Sequence, residues 1–153
     1  MKAYIFIPDT DKRAGLGHLK RCINLSLYVP KNNKVFILIK DTFPKRFLNK
    51  IKGRNIKFFI YKKLNEKFFL SLKKKFKLIA ILDSYNKKLH NLPFKNIFFK
   101  KISIIDFKIK NNSQINIDHT FGRKKKFHKI NKDQRIFLGH TFFQLILLEK
   151  KKK

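Results

Sequence analysis

The chain has 153 residues, enough for one domain with a real core but short for two. Its formal charge of +30 fits a nucleic-acid or anionic-surface binder, yet the lysines run along the whole length, and Lys, Ile, Asn and Phe, all with A/T-rich codons, fill more than half the chain. The single cysteine, Cys22, excludes an intrachain disulfide and a cysteine-based zinc site, and no run reaches the roughly 18–20 apolar residues of a membrane span. With no N-terminal signal visible, the expectation is a soluble cytoplasmic protein.

In chain order, Ala3–Ile7 is a continuous apolar run of the kind expected for a buried first strand of a parallel sheet. The stretch Ala14 to Cys22 then reads as a glycine-bearing turn, with Gly15 and Gly17, opening a helix. Leu16, Leu19, Ile23 and Leu27 recur at helical spacing. Pro30 to Asn33 is a turn, and Lys34–Lys40 a second buried strand. Asp41-Thr42 are placed to cap a helix from Phe43 to Ile51, which Gly53 ends. Asn55–Tyr61 is a third strand, Asn65–Lys75 a helix, and Leu78–Leu82 a fourth strand ending at Asp83-Ser84-Tyr85. Asn86–Phe99 is less regular, with room for one short helix. Ile102–Ile105, Ile115–Ile117 and Arg135–Leu138 read as three more strands, before a final apolar segment, Phe142–Leu148.

Strands alternating with helical patterns imply right-handed βαβ units. The predicted fold is therefore α/β, a Rossmann-like doubly wound parallel sheet over residues 1–148, with a basic tail at 149–153. Such sheets bind ligands beyond the carboxyl ends of their strands, which singles out Asp9, His18, Asp83, Tyr85, Asp106 and Asp118. A helix start suits an anion, and His18 stands at its mouth with a general acid/base role open to it alongside simple capping. Arg21, one turn later, suits a carboxylate or phosphate clamp as well as an ordinary surface place. The glycine turn is neither a dinucleotide fingerprint, since Lys20 stands where the third glycine belongs, nor a Walker A loop. His119, His128 and His140 lack metal-ligand spacing, so no metal and no cofactor are assigned. Lys124 to Lys126 reads as a solvated loop.

Gly15-Leu16-Gly17-His18-Leu19-Lys20-Arg21-Cys22 resembles the G-x-G-H-x-x-R-C segment of the UDP-2,4-diacetamido-2,4,6-trideoxy-β-L-altropyranose hydrolases, the pseudaminic acid pathway enzymes related to spore-coat polysaccharide proteins. Later stretches agree in order. Ile81 to Tyr85 resembles the family's V-V-D-x-Y strand end, Ile104 to Asp106 its I-D-D, Asp118 to Arg123 its D-Q-N-x-G-R, and Phe137 to Leu145 its L-L-G-x-x-Y-x-L-L. Phe107, His119-Thr120 and Ile146-Leu147 replace family residues.

The resemblance implies the N-terminal half of a glycosyltransferase-B-like hydrolase acting on a UDP-linked amino sugar. His18 would be the base that activates water at the anomeric carbon. Gly15, Gly17, Arg21, Asp83 and Tyr85 would bind substrate or orient that base. Family members continue into a nucleotide-binding second domain that this sequence is expected to lack, so a separate C-terminal-half polypeptide is the partner implied. Two alternatives stand beside this expectation: a related sugar-nucleotide glycosyltransferase, and a basic nucleic-acid-binding domain, for which charge is the only sequence sign.

Overall fold

The computed structural model describes residues 1–10, 16–40, 56–92, 96–120 and 122–139. Within them the chain runs β1 (Lys2–Pro8), α1 (Gly17–Ser26), β2 (Lys34–Lys40), β3 (Ile56–Tyr61), α2 (Glu66–Lys73) and β4 (Lys77–Asp83). It continues through α3 (Lys87–His90), β5 (Lys100–Ile104), β6 (Ile115–Asp118), a 3-10 turn at Lys125–Phe127 and β7 (Arg135–Leu138). The strands form one seven-stranded sheet in the order β3-β2-β1-β4-β5-β6-β7, and every neighbouring pair is parallel. This is the doubly wound α/β fold expected from the alternating pattern. Gly15, the helix expected over 43–51 and the final apolar segment lie outside the described residues.

The continuous apolar runs of β1, β2 and β4 are explained by burial on both faces. Ala3, Ile5, Ile7, Phe36, Leu38, Leu78, Ala80 and Leu82 pack against Phe69 of α2. The alternate residues Phe6, Val35, Ile37, Ile39, Ile79 and Ile81 pack against Leu19 and Cys22 of α1. On the α2 side, Phe68 lies 5.2 Å from Phe59 and Phe69 lies 5.1 Å from Phe98, ring centre to ring centre. Tilted aromatic pairs of this kind add to simple area burial. The phenylalanine-rich composition thus becomes one face of the core.

Local sequence sets the helix boundaries. Asn65 caps α2 by accepting from the Lys67 N–H at 2.9 Å, with Glu66 in the first turn and Lys73 in the last, the arrangement that suits the helix dipole. Asn86 caps α3 in the same way through the Lys88 N–H. α1 has Leu16 at its N-cap position and no side-chain cap.

The chain leaves β1 to build β2 and β3 on one side, then crosses to build β4 to β7 on the other. The reversal lies between β1 and β4, the place where doubly wound sheets bind ligands at the carboxyl ends of their strands. β1 and β4 pair along their whole length, ending at Pro8 opposite Asp83.

Candidate functional site

The polar cluster sits at that reversal. α1 follows β1 and carries His18 and Arg21 on one face, one turn apart. β4 delivers Asp83 to the same point. His18 Nδ1 lies 2.6 Å from Asp83 Oδ1, with the histidine side chain 7% exposed and the carboxylate 0%. Arg21 grips the same carboxylate from the side: Nε donates to Oδ2 at 2.7 Å and Nη2 to Oδ1 at 2.6 Å. Cys22 Sγ stands 3.8 Å from Oδ2.

These partners fix the protonation states. An ionised carboxylate only accepts and a guanidinium only donates, so His18 Nδ1 carries a proton and gives it to Asp83. The 3.2 Å approach of Arg21 Nη2 to His18 Nδ1 is therefore two donors sharing one oxygen. In the neutral ring the lone pair then falls to Nε2, which has no hydrogen-bond partner among the described residues. Burial by itself would raise the Asp83 pKa, but the bonds from Arg21 and His18 outweigh it and hold the carboxyl below its usual range. Burial works against the Arg21 charge as well, and Asp83 overcomes it, leaving the guanidinium more firmly protonated than usual.

Tyr85 flanks the imidazole. Its ring meets the His18 ring edge-on at 4.8 Å, its hydroxyl donates to Asp106 Oδ2 at 3.0 Å, and the residue is 54% exposed. The hydrogen bond to Asp106 raises the phenol pKa. Asp9 closes the other side: its N–H bonds to the Asp83 carbonyl at 2.7 Å, and its Oδ2 accepts from Ser84 Oγ and the Tyr85 N–H. Gly17, the first residue of α1, has nothing within 4 Å of where a Cβ would stand. Of the site residues expected from sequence, His18, Arg21, Asp83, Tyr85 and Gly17 thus gather at one place. Asp83 is fully buried with both oxygens engaged, so its geometry suits holding His18 and Arg21 rather than touching a ligand.

A second, similar cluster lies at the end of β6. Asp118 Oδ2 accepts from His128 Nε2 at 2.7 Å and Arg123 Nη1 at 3.2 Å, while Oδ1 accepts from the Thr120 N–H. Gly122 has a φ of +73°, the left-handed turn that brings Arg123 back toward Asp118. Arg123 also donates to the Asp106 carbonyl and lies 4.3 Å from the Phe127 ring centre. His119 joins the two clusters, its Nε2 lying 2.9 Å from Arg21 Nη1. Sequence spacing considers His119 and His128 as metal ligands; it does not reveal that His119 meets Arg21 of α1 and His128 meets Asp118 of β6. Among the described residues no group of three or more His, Cys, Asp or Glu side chains is arranged to hold a metal. Nor is any helix there long and apolar enough to cross a membrane.

On the α2 side of the sheet, a cavity of about 320 Å³ opens at the carboxyl ends of β1, β2 and β3, and Asp9 lines it. Lys40, Lys62, Lys63 and Lys88 share its wall. Lysines line other surface hollows too, so position at the strand ends, rather than charge alone, sets this one apart. The fold and site together define a doubly wound α/β domain with a His–Asp–Arg cluster at its topological switch point. No protein-family model, curated protein or solved structure matches the chain.

Proposed function

We propose that this domain is the sugar-facing half of a cytoplasmic UDP-sugar hydrolase, with His18 as the general base. The observation that carries the reading is the His18–Asp83 bond of 2.6 Å, which leaves the Nε2 lone pair as the proton acceptor of the ring. In the reaction, a water oxygen attacks the anomeric carbon and gives its proton to His18 Nε2. The bond from that carbon to the diphosphate oxygen breaks, and UDP leaves with the electron pair. UDP is a good leaving group, so placing and deprotonating the water is the main demand.

The surroundings of His18 fit this chemistry. Tyr85 offers an exposed aromatic face beside the imidazole for a sugar ring. The lysine-lined cavity on the far side of Asp9 suits a diphosphate. The ordered resemblance of five sequence segments to the pseudaminic acid pathway hydrolases is the support for a UDP-linked amino sugar as substrate.

Turnover of UDP-2,4-diacetamido-2,4,6-trideoxy-β-L-altropyranose in ¹⁸O-water tests the reading. The label is expected in the released sugar, the result of attack at carbon. Label in UDP, or sugar release only when an acceptor alcohol is supplied, would overturn it.

A further inference from the structure

We propose that His119 is a positioning residue of the site, a proton-sensitive acceptor that keeps Arg21 seated on Asp83. The inference concerns the same site but rests on the Arg21–His119 contact alone, and its test needs no substrate.

Arg21 has no acceptor atoms, so the 2.9 Å contact between its Nη1 and His119 Nε2 requires a lone pair on that nitrogen. The His119 proton then sits on Nδ1, which is buried without a hydrogen-bond partner. His119 is thereby held neutral. With Asp83 taking the bonds from Nε and Nη2, His119 accounts for the remaining nitrogen of the guanidinium.

The backbone that presents His119 is itself pinned. The Thr120 N–H bonds to Asp118 Oδ1 at 2.8 Å, the Gly139 N–H bonds to the Asp118 carbonyl at 2.7 Å, and His128 and Arg123 hold the other carboxylate oxygen. The second cluster therefore acts as a rigid mount that aims the imidazole at Arg21.

Protonation reverses this arrangement. A second proton on His119 Nε2 would face the Arg21 Nη1–H, donor against donor and cation against cation, so the contact must open. The charges acting on His119 come from Arg21 on α1, Asp106 beyond β5, Asp83 at the end of β4 and Asp118 at the end of β6. Burial, and then the Arg21 charge, push its pKa below the ordinary histidine value, so the neutral acceptor form prevails at neutral pH. Asp83, held below the usual carboxylate range, titrates as a separate event in stronger acid.

The test follows the side-chain NMR signals of Arg21 Nε–H and of the His18 and His119 rings in the full chain from neutral pH downward. The Arg21 Nε–H signal is expected to shift with the midpoint at which the His119 ring titrates. In His119→Gln, whose amide oxygen accepts at any pH, Arg21 should hold its neutral-pH position through that range and the inflection should vanish. If His119→Gln keeps the inflection, or if Arg21 in the unmodified chain does not move as His119 titrates, the proposal fails. The unmodified chain decides the matter by itself should the variant not fold.

Discussion

His18 and Asp83 stand 65 residues apart in sequence and 2.6 Å apart in space, joined because β1 and β4 lie side by side and α1 leaves the end of β1. The bond is a product of strand order. Asp83→Asn keeps the side-chain shape but removes the charge that Arg21 faces. A buried cation left unpaired costs roughly 3–5 kcal/mol, and the 27% exposure of Arg21 places the expected loss near the lower end, about 3 kcal/mol. Urea unfolding of the variant measures this. A loss within about 0.5 kcal/mol, the range of ordinary surface changes, would contradict the ion-pair assignment.

Stability should fall in two stages on acidification. His90 is fully buried, with Nε2 donating to the Ser84 carbonyl at 2.6 Å and Nδ1 accepting from Ser103 Oγ at 2.8 Å. Burial lowers its pKa, so as pH drops below about 6.5 the unfolded chain takes up a proton that the folded chain resists. Asp83 and Asp118 are also lowered in the fold, so their contribution is present above about pH 4 and is lost as pH falls through their folded values. Urea midpoints measured from pH 8 to 3 should decline first near 6 and again below 4. A flat profile down to pH 5, or a midpoint that rises on acidification, would contradict this.

Cys22 should be inert in the native state. It is fully buried, and burial followed by the neighbouring Asp83 charge pushes its thiol pKa well up, so little thiolate forms and none of it is exposed. A disulfide reagent should label it only as fast as the domain opens, with the rate rising as urea is added. Prompt labelling without denaturant would show that α1 does not seal this face.

Much of the fold was legible in the sequence because burial on both faces writes itself as unbroken apolar runs. Lys34–Lys40 and Arg135–Leu138 have the bounds expected, and Asp83 ends its strand as read. The strand-end rule also brought His18, Asp83 and Tyr85 under suspicion together, and Arg21 joined them from its place one helical turn after His18. What it did not reveal is which strand ends meet. His119 reaches Arg21 across 98 residues, and His90 reaches Ser103, which in turn bonds Ser113 at 2.7 Å; all depend on sheet order. The usable signal was adjacency: His119 directly follows Asp118, itself a strand-end residue in the predicted sheet. The 3-10 turn at Lys125–Phe127 was likewise hidden, since three consecutive lysines read as solvated loop, while Arg123 stacked near Phe127 gives the segment its local order.

Tyr85 provides a finer test of the site. Its hydroxyl and its ring have separate partners, Asp106 and His18. Tyr85→Phe removes one exposed hydrogen bond and should change stability by less than about 1 kcal/mol while keeping the edge-on packing. Tyr85→Ala should cost more UDP-sugar turnover than Tyr85→Phe, because it also frees the imidazole to turn. Equal losses in the two variants would place the importance of Tyr85 in its hydroxyl instead.

In the proposed reaction the Nε2 lone pair of His18 deprotonates the attacking water. UDP release from the UDP-linked amino sugar is compared for the unmodified chain and for His18→Gln, both folded and each supplied with the nucleotide-binding half. General-base catalysis contributes roughly 10²–10⁴-fold, so the variant is expected to lose at least about 100-fold in kcat. Undiminished UDP release by His18→Gln would contradict the account.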